Sequence, residues 1–159
     1  MKEFEQIAVQ DIVDLAMVNR ATFYKYYSGK SDLAGALISE FKEKYQTALE
    51  QKFGKDNNIA ELMNNQIPAL YAERQTILAL WKIKTKRHHL YDDMFLMIKN
   101  NYITYQKQLN PNQNFDYQGQ ILATIILNTA RYYFEKDLPI PVKQVWADIE
   151  MTLKTVQAA

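Results

Sequence analysis

Apolar side chains recur at helical spacing along most of this chain. Those between Val9 and Ala16 predict a short helix, and Asn19 is placed to cap a second helix from about Arg20 to Tyr26 by accepting from amides two or three residues further on. Gly29 is a predicted stop after this helix, and Ser31 is the predicted N-cap of a long third helix. The first third of the chain is therefore predicted to be two short helices and one long one.

The remainder of the chain predicts a second group of helices. The third helix is expected to end near Phe53, and Pro68 is expected to kink or split the helix that follows. The helix around Ile121 to Leu127 is apolar nearly all round, which predicts burial on both sides. No alternating strand pattern competes, so the predicted fold is all-α, with one domain at 1–45 and a helical bundle at 46–159. The predicted later helices run from about Ile59 to Tyr71, Gln75 to Ile83, His88 to Leu109, Tyr117 to Lys136 and Val142 to Val156.

Composition excludes several classes of protein. The 159 residues are 48% apolar, which is enough for a sizeable core, and four glycines and four prolines are few for this length. Because cysteine is absent, disulfides and thiolate metal sites are impossible. The longest apolar run, ILATIIL, is too short to cross a bilayer, and the polar start MKEFEQ does not resemble a signal peptide. We therefore expect a soluble cytoplasmic protein with no membrane partner and no cofactor.

Charge is unevenly distributed, although the net charge is only +1. Between Val18 and Ser31 there are three cations, no acid and four aromatic residues. Two short helices joined by a tight turn, the second carrying cations and hydroxyls, match a helix-turn-helix, in which the second helix enters the DNA major groove. We expect Phe23 and Tyr27, four residues apart, to turn toward the core. The predicted DNA-binding residues are Arg20, Thr22, Tyr24, Lys25, Tyr26 and Lys30.

The segment IAVQDIVDLAMVNRATFYKYYSGKSDLAGAL resembles the DNA-binding segment of the TetR family of bacterial transcriptional regulators. The usual form of that segment is T-V-x-D-I-x-x-x-A-x-V-x-R-x-T-F-Y-x-x-F-x-x-K-x-x-L. The resemblance implies a homodimer that binds a palindromic operator in double-stranded DNA, with an effector pocket in the second domain. The residues in register are Val9, Asp11, Ile12, Ala16, Val18, Arg20, Thr22, Phe23, Tyr24, Tyr27 in place of Phe, Lys30 and Leu33.

The chain departs from this family pattern at its start. The family normally places a further helix before the motif, whereas only MKEFEQI precedes Ala8 here, and Ala8 stands where a capping Thr is usual. Gly is usual at Met17, so a left-handed turn is expected to be strained there. Either the gene start is placed too far downstream, or this is a short variant without DNA binding. As given, the chain is expected to bind DNA poorly, with its motif partly bare at Ile12, Phe23, Leu33 and Leu37.

The second domain supplies candidate residues for a ligand and for a partner subunit. Bulky aromatic residues could line a pocket for a small apolar or aromatic effector, with a filled core as the alternative. The last two helices carry apolar stripes that predict a two-fold, four-helix dimer interface. The candidate pocket residues are Tyr71, Trp81, Tyr91, Phe95 and Tyr102. The candidate dimer residues are Ile121, Leu122, Ile125, Ile126, Trp146, Ile149 and Leu153.

The basic octamer KIKTKRHH, residues 82–89, is interpreted as a solvated turn at a helix end and not as a metal site or a second nucleic-acid surface. Adjacent side chains diverge on a helix, so neither the two histidines nor Asp92 with Asp93 form a site. No catalytic residue and no metal ligand is predicted. The predicted function is a TetR-like, effector-responsive regulator, and the alternative is a helical dimer that binds a small molecule or protein and has lost DNA binding.

Overall fold

The computed structural model describes residues 3–53 and 67–157, and these residues form helices joined by short loops without any strand. This confirms the predicted all-α class. One turn of 3-10 helix at Phe4–Gln6 precedes the first α-helix. The α-helices are α1 (Val9–Leu15), α2 (Arg20–Tyr26), α3 (Lys30–Phe53), α4 (Ile67–Ala72), α5 (Arg74–Trp81), α6 (Leu90–Leu109), α7 (Asp116–Glu135) and α8 (Val142–Gln157).

Local capping explains where α2 and α3 begin. The side chain of Asn19 accepts from the amide of Ala21 at 2.7 Å, which confirms the predicted cap of α2. Ser31 does not cap α3, because that helix already begins at Lys30 and the carbonyl of Gly29 accepts from the amides of its first turn. The predicted N-cap is therefore wrong by two residues, and Ser31 lies inside the helix.

The turn between α1 and α2 contains a residue in the left-handed conformation. Met17 has a φ of 53°, its amide donates to the carbonyl of Asp14 at 3.2 Å, and the amide of Val18 donates to the carbonyl of Val13 at 3.0 Å. These two bonds make up a Schellman motif, in which glycine usually occupies the left-handed position. The predicted left-handed turn at Met17 is confirmed.

The main core lies among α3, α5, α6 and α7. Ile77, Leu90, Ile98 and Leu127 are almost completely buried there. Helices α6 and α7 pack closely, and a Cβ at Gly119 would come within 3.2 Å of Lys99, so a larger residue would push the two helices apart. α3 runs without a break through residues 45 and 46, where a domain boundary was predicted. This one helix therefore connects the N-terminal helices with the bundle.

The predicted later helices agree with α5 to α8 within two residues at each end. Most of the helix predicted from Ile59 lies outside the described residues, and it is observed only as α4 from Ile67. In the second half of α8, every side chain from 151 to 156 is exposed. Within the part of the chain that the structure describes, no helix is both long and apolar enough to cross a membrane.

Candidate functional site

Helix α2 presents five of the six predicted DNA-binding side chains to solvent. Its opposite face is turned inward, with Phe23 only 6% exposed and Tyr27 half-buried, as predicted. The five are Arg20, Thr22, Tyr24, Lys25 and Tyr26. Two cations lie beside aromatic rings: the Arg20 guanidinium is 5.5 Å from the centre of the Tyr24 ring, and the Lys25 ammonium is 5.5 Å from that of Tyr26. Since α2 contains no carboxylate, this face combines positive charge with flat apolar surface.

Lys30, the sixth predicted DNA-binding residue, is engaged elsewhere. Its ammonium donates to the carbonyls of Phe4, Glu5 and Ile7 at 2.7 to 2.8 Å, and it lies 5.1 Å from the centre of the Phe4 ring. A lysine ammonium has three N–H donors, and these three bonds use all of them. In this arrangement Lys30 fastens the N-terminal turn to the start of α3, so we withdraw it from the candidate DNA surface.

The predicted bare patch of the motif is only partly present. Phe23 turns inward as predicted, but it is not left partly bare as the missing helix led us to expect. It is buried because α1 packs against α2 and the Phe23 ring lies against Tyr24 and Tyr27 at 5.4 and 5.6 Å. Ile12 and Leu33 are half-buried. Leu37 is 40% exposed, as expected for an uncovered position. The motif therefore has its own small packed interior, to which Val13 also contributes.

The basic octamer at 82–89 is exposed at its three lysines and at Arg87, but Ile83 and His88 are buried. This imidazole is 6% exposed, and its Nε2 lies 3.0 Å from the hydroxyl of Ser31. The absence of a side chain at Gly35 makes room for this ring, because a Cβ on residue 35 would lie only 3.0 Å from His88 Cε1. The interpretation as a solvated turn is thus wrong for His88, which seats the loop on the first turns of α3. The long-range contact with α3, 57 residues away, cannot be inferred from helix periodicity.

The five predicted pocket aromatics do not line one cavity. The hydroxyl of Tyr71 donates to the carbonyl of Asp137 at 2.8 Å, and Tyr91 lies against both Trp81 and the guanidinium of Arg131. The other two predicted residues pack elsewhere: Phe95 packs against the main core, and Tyr102 lies against Phe53. Only Trp81 reaches the cavity described below, so the filled-core alternative describes the other four better.

An apolar cavity of about 130 Å³ lies between the bundle helices and α8. Its walls are mainly aliphatic and aromatic, and they include both tryptophans of the chain, Trp81 and Trp146. Besides the indole N–H groups of these tryptophans, three lining side chains carry polar groups: Tyr45, Lys52 and Thr129. None of these three was predicted from the sequence. A signal for Lys52 was available, because it follows Tyr45 by seven residues and therefore lies on the apolar stripe of α3.

The predicted dimer residues divide into two groups. Ile125, Ile126 and Trp146 line the cavity, while Leu122 packs against the main core and Ile149 is half-buried. The exposed members are Ile121 at 42% and Leu153 at 58%, with Trp146 also 43% exposed. The part of α7 that faces outward and the exposed end of α8 therefore remain as the apolar surface available to a partner.

Comparison of the chain with family models, curated proteins and solved structures gave no match. Among the described residues, no three histidine or acidic side chains come together as a metal site would require. The arrangement of the side chains must therefore carry any functional inference. Two features stand out: the cationic, aromatic face of α2 and the apolar cavity with its single lysine.

Proposed function

We propose that this chain is a TetR-like transcriptional regulator that binds double-stranded DNA as a homodimer and responds to a small molecule. The observation that carries this proposal is the face of α2. Five side chains able to contact phosphates or bases are exposed on a helix of seven residues, with no carboxylate among them and with Phe23 anchoring the opposite side. A recognition helix needs one face that packs against its own protein and another face that is exposed and able to contact DNA.

Helix α3 supports the effector response. Its first residues, Lys30 and Ser31, hold the N-terminal turn and the His88 loop, while Tyr45 and Lys52 near its other end line the cavity. At 1.5 Å per residue, Ser31 and Lys52 are separated by about 30 Å along one helix. A ligand that shifts the cavity end of α3 would tilt the DNA-binding end with it, because the helix is continuous.

The apolar surface on α7 and α8 supports the dimer. Ile121, Met151, Leu153 and Val156 are exposed in the protomer, and two copies related by a two-fold axis would cover them with a surface of the same kind. Two copies of α2 would then face successive major grooves, which predicts operator half-sites about 34 Å apart or a small multiple of that distance.

Binding to labelled duplex DNA, followed by fluorescence anisotropy at several salt concentrations, tests the proposal. We expect Lys25→Gln to lower the slope of log affinity against log salt by about one for each phosphate that the lysine no longer neutralises, hence about two for a dimer. Lys154→Gln is the matched control, because this lysine pairs with Glu150 on α8 and should leave the slope unchanged. Thr22→Ala should change the sequences selected from a randomised duplex pool while the slope stays the same.

The second candidate function is a helical dimer that binds a small molecule or protein and no longer binds DNA. Exposed Leu37 and the absence of a side-chain cap at Ala8 favour it, since both weaken the motif. An intact dimer that fails to bind duplex DNA even at low salt would favour this candidate and overturn the first. An unchanged salt slope in Lys25→Gln would show that α2 is not the face that meets DNA.

A further inference from the structure

Lys52 is unusual among the lysines that the structure describes because it lines an apolar cavity. Its side chain is only partly exposed, and its ammonium lies 5.4 Å from the centre of the Phe53 ring. Among the described residues, no carboxylate lies within ion-pair distance of Lys52 Nζ. Lys42 and Lys44 on the same helix each have an acidic partner, and the ammonium of Lys30 is satisfied by three carbonyls.

The remaining polar groups of the cavity are neutral. Burial raises the pKa of the Tyr45 hydroxyl well above its usual range, so this group stays protonated and can donate a hydrogen bond. Thr129 adds a second hydroxyl. Together with the indole N–H groups of the two tryptophans, the cavity thus offers one positive charge and two hydroxyls inside a mainly apolar wall. A buried charge is costly unless it is paired, and a ligand that supplies the counter-charge would remove that cost.

We propose that this cavity binds a small monocarboxylate, with its apolar body among the aliphatic and aromatic side chains and its carboxylate paired with Lys52. One lysine balances one negative charge, so a phosphate ester with nearly two charges is a poorer fit. A cationic ligand would be repelled. This proposal names the chemical class of the effector in the proposed function. Only the effect of the ligand on DNA binding rests on that function, because ligand binding itself is measured without DNA.

The size of the cavity limits the apolar body of the ligand. An apolar cavity of about 150 Å³ accommodates benzene. The cavity here measures about 130 Å³, so an apolar body of about six carbons fits. Hexanoate is therefore a suitable probe, and 1-hexanol is its neutral counterpart with the same number of carbons.

Tryptophan fluorescence measures binding directly, since both tryptophans line the cavity. At neutral pH we expect hexanoate to bind the full chain about tenfold more tightly than 1-hexanol, or more, because its carboxylate forms a charge-assisted hydrogen bond. In Lys52→Met the preference should disappear while 1-hexanol still binds, which would show that the cavity persists. Lys44→Met is the matched control on the same helix, and Lys52→Arg keeps the charge; both should retain the preference.

The pH dependence gives a second readout. Desolvation lowers the pKa of Lys52, so its charge is lost earlier than that of an exposed lysine as the pH rises. Hexanoate affinity should therefore fall on going from neutral to alkaline pH while 1-hexanol affinity stays constant. Equal affinities for the two probes in the parent protein, no binding of either, or a preference that survives in Lys52→Met would each overturn the proposal. Failure to bind DNA with the hexanoate preference intact would overturn only the proposed function.

Discussion

Replacing Met17 by glycine should stabilise the element formed by α1 and α2. Met17 occupies the left-handed position of the Schellman motif that ends α1, with a φ of 53°, and its side chain is 92% exposed. A residue with a Cβ costs about 1–2 kcal/mol in this conformation, which glycine avoids. Glycine in turn loses about 0.5–1 kcal/mol through the greater freedom of the unfolded chain. Because so little of the methionine is buried, its removal subtracts little from packing.

The difference between these two effects predicts that Met17→Gly raises the free energy of unfolding by about 0.5–1 kcal/mol. For a chain of this size, that corresponds to a rise in Tm of about 1–4 °C if the element unfolds with the bundle. If the element opens by itself, amide hydrogen exchange in α1 and α2 should slow by about two- to fivefold while exchange in α7 stays constant. Measuring both quantities covers either mode of unfolding.

Asp137 provides the matched control, because it occupies the same position at the end of α7. Its φ is 57°, and the amides of Asp137 and Leu138 donate to Phe134 and Tyr133 in the same pattern. Its carboxylate, however, accepts a hydrogen bond from Arg74, which lowers the pKa of Asp137. Asp137→Gly therefore loses an interaction that Met17→Gly does not, and it should not be stabilised. If Met17→Gly has the same stability as the parent, or a lower one, by both Tm and amide exchange, the reasoning is refuted.

Two further predictions concern the apolar surface of α8 and the lysine in the cavity, Lys52. Leu153→Asp should convert the proposed dimer to a monomer in sedimentation, because it places a charge on the exposed apolar face of α8. Thr155→Asp on the opposite side of the helix should leave the sedimenting mass of the parent unchanged, and equal masses for the Leu153 variant and the parent would remove that interface. Lys52→Met should raise Tm at neutral pH, since desolvation lowers the folded-state pKa of this lysine. Between that lowered value and the unfolded value of about 10.4, the unfolded chain binds more protons, so parent stability rises with pH and the advantage of the variant should shrink. An advantage that does not vary with pH would contradict this.

Much of the N-terminal region was predictable because its structure is local. The bounds of α2, the Asn19 cap and the left-handed turn at Met17 all depend on hydrogen bonds between residues at most five apart. The predictions failed where two locally valid signals competed. Ser31 is a good capping residue, yet α3 begins earlier because the Gly29 carbonyl can already accept from its first turn.

The sequence by itself determined the helical class, the order of the helices and the face of α2 that is free, since 3.6-residue periodicity and capping residues act over one or two turns. Only the tertiary structure decided what the side chains of Lys30, Lys52 and His88 do. Lys30 bonds to carbonyls 23 to 26 residues away, and His88 reaches Ser31 across 57 residues. The cavity around Lys52 is assembled from α3 to α8. Helix periodicity shows which face of a helix is apolar, but the partner of that face depends on how distant helices pack.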